Sequence, residues 1–476
     1  MNYYPDARIT NLGEGFYDEV KPAAFPKHEL RFRNQRWAEK VGLGELSADE
    51  WKAHFARFDP LPGNLEKPLA LRYHGHQFDV YNPQLGDGRG FLFAQLREGE
   101  GKDSRLLDLG TKGSGRTPWS RGGDGKLTLK GGVREVLATE MLEALGVNTS
   151  KTFSLFETGE KLMRGDEPSP TRSSVLVRLS HSHVRFGSFQ RLSYARDAER
   201  LEKLLRYSIE NYFPELAHSG PKGTPPSGRN PAHDFLAQVT QRTAKLAASF
   251  MVSGFVHGVL NSDNMVITGE SFDYGPYRFL PTYDLTFVAA YFDETGLYAF
   301  GQQPGAMFRN VARLAESLRP IAPDLAIAPI LRDFEAVLDQ EINVRLLDRL
   351  GLKSNGVMDS ALMEAVYTFL SGSRIGYDQF FFDLYGGALR SEKRRAGKTN
   401  HFYVGEEWAA IEKLLELYAP VTQEISPYYS ADEPCTLLID EIESIWSAIA
   451  QADDWSLFAD KISRIRAMGA ARVSAS

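Results

Sequence analysis

Between residues 71 and about 183, short apolar runs alternate with turn residues. This texture predicts strands at residues 90–96, 105–109, 153–156, 161–164 and 174–180. Thr158-Gly159 reads as a hairpin turn joining 153–156 to 161–164. One helix interrupts the region: Val133, Val136, Leu137, Met141 and Leu142 recur at helical spacing, and Gly146 stands where a C-terminal cap belongs. Beyond His183 the pattern turns helical, over residues 198–212, 235–255, 310–318, 330–350, 359–370, 408–418 and again near the C-terminus. A Gly/Pro-rich loop at 219–231 separates the first two of these helices, and residues 265–268 and 277–280 predict a short β pair. Helices are also expected around 29–41 and 48–58. The chain therefore reads as α+β, with residues 1–183 forming an N-terminal segment and a β-rich lobe with one key helix. Residues 184–476 form a larger helical lobe.

Composition sharpens this in three ways. Of 42 glycines in 476 residues, thirteen fall between Gly86 and Gly132, so that stretch needs unusual backbone angles or close backbone approach. The formal charge of -7 argues against a general nucleic-acid or membrane-surface binder, which would show a basic excess. A single cysteine, Cys435, excludes a disulfide framework. Residues 1–20 lack an apolar core of signal-peptide type, and no run reaches about 18 uninterrupted apolar residues. The expectation is a soluble, cytoplasmic, monomeric protein.

The most specific chemical signal is His257-Gly258-Val259-Leu260-Asn261-Ser262-Asp263-Asn264, followed by Asp273-Tyr274-Gly275. Protein kinases carry His-Arg-Asp-Leu-x-x-x-Asn and then Asp-Phe-Gly, whose Asn and second Asp hold Mg²⁺. The spacing from His257 to Asn264 is the same, and Asp273-Tyr274-Gly275 fits the second motif. Two oxygen ligands, Asn264 and Asp273, suit Mg²⁺, which completes its shell with phosphate and water. The kinase catalytic aspartate is replaced by Val259, which has no group to accept a proton. Asp263 is the nearest carboxylate for a base role.

Upstream lie the parts a nucleotide needs. Gly86-Asp87-Gly88-Arg89-Gly90 either lets backbone N–H groups approach phosphate or is a tight turn. Lys112, at a strand end in Gly110-Thr111-Lys112-Gly113-Ser114-Gly115, is a candidate phosphate contact. Glu135, 23 residues on, lies on the expected helix and pairs with it either as in kinases or as a surface bridge. The turn at Gly122-Gly123-Asp124-Gly125 is a further candidate phosphate or metal contact. Arg178 and Arg185 suggest grip on a polyphosphate, because guanidinium groups bind phosphate oxygens bidentately. His74, His76, His181 and His183 come in i, i+2 pairs with no third ligand, and read as structural or phosphate-proximal rather than as zinc sites.

Together these motifs resemble the selenoprotein O family (SelO, YdiU-like pseudokinases), strongly from about residue 73 to 318 and in length and order over nearly the whole chain. The resemblance implies a protein-kinase-like two-lobed fold and ATP bound in an orientation reversed from that of kinases. AMP is then transferred to Ser, Thr or Tyr hydroxyls of proteins, with release of pyrophosphate. By matching position it makes Asp263 the proton acceptor, and Asn264 and Asp273 the metal ligands. Gly86, Gly88, Arg89, Lys112, Asp124, Gly125, Arg178, Arg185 and Asp273 become nucleotide contacts, with Glu135 as the supporting ion pair. Mg²⁺ or Mn²⁺ is the implied cofactor, and protein acceptors are the implied partners. The competing readings are uridylyl transfer, γ-phosphoryl transfer with Asp263 as base, and a nucleotide-binding scaffold, the last motivated by Val259. The family's selenocysteine or cysteine near the C-terminus has no counterpart in the tail Arg472-Val473-Ser474-Ala475-Ser476. With Cys435 alone, an internal redox bridge is not expected.

Overall fold

The computed structural model describes residues 2–99, 104–217 and 230–472; the expected loop at 219–231 lies almost wholly outside them, as does the tail from Val473. A sheet-rich N-terminal part is followed by a helical C-terminal part. The main sheet is antiparallel, with Tyr17–Glu19, Leu69–Leu71, Leu92–Glu98, Arg105–Lys112, Thr171–Ser180, Lys151–Leu162 and Glu29–Arg33 in spatial order. Leu127–Thr128 pairs with Thr171–Ser180 off this path.

Both faces of the sheet are buried, and strand alternation decides what each residue meets. Val175, Val177 and Leu179 pack with Trp51, Phe55 and Phe153 on one face. Leu176 points the other way, into a core shared with Leu155 and the helix Leu129–Ala144. Arg178 shares the Leu176 face by the period of two. Lys112 pairs directly with Leu176, and Gly110 with Arg178, so both cations emerge on the side where the helix carries Glu135. The helix starts at a Thr128 side-chain cap on Gly131 N–H and ends before Gly146, as the spacing predicts.

The helical part packs against this same helix. Leu236, Val239 and Phe250 of Pro231–Ser253 and Met307 and Val311 of Gln303–Leu318 belong to the core that includes Val136 and Met141. The last helices, Ile439–Ala452 and Ser456–Ala471, return to it as well. Arg466 Nε donates to Glu140 at 2.7 Å, and Arg472 Nη1 donates to the Ala144 carbonyl at 3.0 Å. No helix among the described residues is long and apolar enough to cross a membrane.

Three local expectations are corrected. Residues 29–41 are not one helix: Glu29–Arg33 is an edge strand, and Asn34 caps a short helix, Gln35–Lys40, by accepting from Trp37 N–H. Thr158-Gly159 is not a hairpin turn but an irregularity inside one strand, Lys151–Leu162. Gly159 has φ +78°, and a Cβ there would meet the Lys27 side chain at 2.6 Å, so the glycine answers a close approach of the N-terminal segment. Finally, residues 265–268 do not pair with 277–280. Phe255–Val256 pairs with Arg278–Phe279 instead, and the β-like character of 265–267 is used elsewhere, as described below.

Candidate functional site

Asp273 is the hub where the sheet, the helix Leu129–Ala144 and the helical part meet. Its Oδ1 accepts from Lys112 Nζ at 2.6 Å and from Arg178 Nη2 at 3.3 Å, while Lys112 also pairs with Glu135. Lys112 and Glu135 are buried, at 4% and 2% side-chain exposure, whereas Asp273 keeps 26% open. Burial alone would raise the Asp273 carboxyl. The ammonium of Lys112 and the guanidinium groups of Arg178 and Arg89 outweigh it and hold the group well below the usual carboxylate range. Asp273 sits at φ +67° on a segment tied to the loop after the helix, through Ser150 N–H to Ser271 O (2.9 Å) and Ser271 N–H to Asn148 O (2.8 Å). His257 braces it from below. This buried imidazole is driven toward its neutral form by burial, and its Nε2 lies 3.1 Å from the Phe272 carbonyl.

The second centre is Asp263. Residues Ser262–Asn264 form a 3-10 turn, and the chain then pairs with the segment that follows the strand Thr171–Ser180. Phe186 N–H donates to Met265 O (2.9 Å) and Ile267 N–H to Val184 O (3.1 Å), so the β-like residues 265–267 are spent fixing Arg185. Arg185 in turn donates from Nη1 to the Asp263 carbonyl (2.7 Å) and from Nη2 to Asp87 Oδ1 (3.1 Å). The Asp263 side chain is buried, and among the described residues its Oδ1 has no hydrogen-bond partner. Burial pushes its carboxyl up to about 6, with Arg185 opposing and Asp273 adding to the rise. Asn264 Nδ2 donates to Val259 O at 3.0 Å, which engages the amide nitrogen and leaves the amide oxygen for other partners.

The glycine cluster is a packing device around these groups. A Cβ at Gly86 would lie 2.4 Å from the Trp119 ring and one at Gly88 would lie 2.8 Å from the Trp119 carbonyl, so the first glycine loop accepts the second turn directly above it. Gly113 N–H donates to Arg89 O at 2.7 Å, bringing the Arg89 segment to the end of the Lys112 strand. Asp124 is not joined to the Asp273 cluster. Both its oxygens accept from Arg164 (2.8 and 3.1 Å), and the neighbouring Gly125 carbonyl accepts from Gly115 N–H at 3.1 Å.

The paired histidines are occupied with neighbours. His74 lies 2.7 Å from the Tyr81 hydroxyl, His76 lies 3.3 Å from the Gln190 amide nitrogen, His183 lies 3.2 Å from Asp108, and His181 packs edge-on against Tyr212. No group of three or more His, Cys, Asp or Glu capable of holding a metal occurs among the described residues. Three residues of the site lie outside the expected set: Asp87, Tyr73 and Phe272. The first was visible as the one carboxylate inside Gly86-Asp87-Gly88. The two rings had no local signal, since what they contact is distant in sequence.

The family model described as "Protein adenylyltransferase SelO" matches residues 1–466. The chain belongs to the SelO family. Among relatives described as "Protein nucleotidyltransferase YdiU", that of Synechocystis sp. is 43% identical over 486 residues, covering 98% of each chain. That of Gloeobacter violaceus is 43% identical over 477 residues, covering 98% of this chain and 95% of the relative. The Vibrio cholerae relative is 34% identical over 377 residues, covering 79% and 74%.

Proposed function

We propose that this chain transfers AMP from ATP to Ser, Thr or Tyr hydroxyls of proteins and releases pyrophosphate. It would do so on a protein-kinase-like fold of two lobes, residues 1–183 and 184–476. The observation that carries the reading is the gathering of three cations at one place: Lys112 and Arg178 both pair with Asp273, and Arg178 and Arg185 share the Phe272 ring. Such a group of cations is complementary to a polyphosphate, which guanidinium and ammonium groups bind through charge-assisted hydrogen bonds. The family resemblance adds the orientation: the β- and γ-phosphates would lie toward the arginines and the α-phosphate toward the acceptor, the reverse of a kinase.

Asp273 and the amide oxygen of Asn264 would hold Mg²⁺ or Mn²⁺. This fits a donor set of two hard oxygens, with the remaining positions left to phosphate and water. The ion, when bound, would neutralise charge on the phosphates. The chain's own residues carry the rest. The acceptor hydroxyl oxygen bonds to the α-phosphorus as the bond to the bridging oxygen of pyrophosphate breaks, and Asp263 takes the hydroxyl proton. Lys112, Arg178 and Arg185 stabilise the charge that accumulates on the departing pyrophosphate. Val259, in the kinase base position, disfavours transfer of the γ-phosphoryl group.

Peptide mass spectrometry of protein acceptors incubated with this chain, ATP and Mg²⁺ tests the proposal. Adenylyl adducts on Ser, Thr or Tyr support it; phosphoryl adducts alone overturn it.

A further inference from the structure

The guanidinium group of Arg185 lies between two aromatic rings, 4.3 Å from the centroid of Tyr73 and 4.8 Å from that of Phe272. The same Phe272 ring stands 5.5 Å from the guanidinium of Arg178. Both rings are buried, at 6% and 3% exposure, and so are both arginines. Two like charges therefore share one ring in a site from which water is largely excluded.

Ring contact and hydrogen bonding use different parts of a guanidinium. An aromatic ring takes the flat face, where its quadrupole attracts the cation, whereas N–H donors lie in the plane and point outward from the edge. A carboxylate partner would fix each arginine by consuming its donors. A ring fixes it and leaves the donors free. The structure combines both modes: Arg185 donates through Nη1 and Nη2 to Asp263 O and Asp87, Arg178 donates through Nη2 to Asp273, and the rings add contacts that consume no donor, while among the described residues neither buried Nε has a partner.

We infer that Tyr73 and Phe272 are positioning residues. They fix the guanidinium groups of Arg185 and Arg178 in place before the two terminal phosphates of the nucleotide arrive. Phe272 directly precedes Asp273, so one short segment carries both the ring that orients the arginines and the carboxylate that pairs with Arg178. The inference rests on the proposed reading that these arginines grip the pyrophosphate end. Pre-organisation of this kind acts on binding, because the ordering cost is met during folding rather than at association.

The test is titration calorimetry of the full chain with inorganic pyrophosphate and, separately, with ATP. Tyr73→Phe keeps the ring and is expected to bind like the parent. Tyr73→Leu and Phe272→Leu remove a ring at similar volume and are expected to weaken pyrophosphate binding about tenfold each. In turnover, the two leucine variants should raise KM for ATP more than they lower kcat. Phe272→Tyr keeps the shared ring and should recover most of the affinity lost by Phe272→Leu, which a role in packing alone would not require. If both leucine variants bind pyrophosphate like the parent while Arg185→Ala loses affinity, the rings are packing only and the inference is overturned. If Arg185→Ala itself leaves pyrophosphate affinity unchanged, the underlying reading of the arginines fails as well.

Discussion

The ammonium of Lys112 lies 2.6 Å from Oδ1 of Asp273 while also pairing with Glu135. One buried cation therefore ties the strand Arg105–Lys112, the helix Leu129–Ala144 and the Asp273 segment together. Removing one member of a buried ion pair leaves the other uncompensated, at about 3–5 kcal/mol. Glu135→Gln, which keeps the shape, is expected to lose about 3 kcal/mol of stability in urea titration, near the low end of that range because Asp273 still faces the lysine. The KM for ATP should rise with it.

Asp273 has a second role in the account, as a ligand of the divalent ion. Asp273→Asn keeps the volume but removes the charge that faces Lys112 and Arg178. Transfer is expected to fall by about 10²-fold or more. The electron paramagnetic resonance signal of bound Mn²⁺, titrated in the presence of ATP, should weaken in parallel. Undiminished Mn²⁺ binding would remove Asp273 from the ligand set.

Close packing against the proposed base makes Gly75 sensitive. A Cβ at this position would stand 2.9 Å from Asp263 Oδ1 and 3.0 Å from its Cβ, so Gly75→Ala must displace the carboxylate or the strand. A shift of about 1 Å at a reacting group costs up to about 10²-fold in rate. Initial-rate measurements should show the loss mainly in kcat.

Glu270 supplies a pH signature of stability. Burial pushes its carboxyl up to about 7, although the neighbouring Lys151 ammonium opposes the shift, and its Oε2 accepts the His181 N–H at 2.9 Å. The unfolded carboxyl titrates near about 4.3. Between these values the folded chain holds a proton that the unfolded chain has released, so this group lowers stability as pH rises through the window, with the full cost present above pH 7. Glu270→Gln removes the titration and keeps an acceptor. Its Tm relative to the parent should climb from pH 5 to pH 8, as read by calorimetry at each pH.

Cys435 is buried and burial pushes its thiol up to about 11. It is expected to resist thiol reagents at pH 8 in the native state and to react once the chain is unfolded in guanidinium, as an absorbance assay of thiol release would show.

Much of the site was legible because its residues announce themselves locally. Lys112 ends an apolar strand, Glu135 sits on a helix of clear period, Asn264 stands at the kinase spacing from His257, and Asp273 opens an Asp-Tyr-Gly motif. What the sequence hid was set by partners distant along the chain. Residues 265–267 look like half of a hairpin, yet they pair with the Arg185 segment some 80 residues earlier. Glu29–Arg33 has too few residues for its alternation to outweigh the helical pattern that follows it. The partner of Asp124, Arg164, lies 40 residues away and likewise has no local signal. Tyr73 and Phe272 carry no motif at all, and only the fold brings their rings to the arginines.

The central claim is that AMP, not phosphate, leaves the nucleotide. Incubating the chain with Mg²⁺ and protein acceptors, using ATP labelled at either the α- or the γ-phosphate, measures this directly. Adenylyl transfer predicts label in protein from α-labelled ATP only, and its loss in Asp273→Ala. Label from γ-labelled ATP only, or from neither, would contradict it.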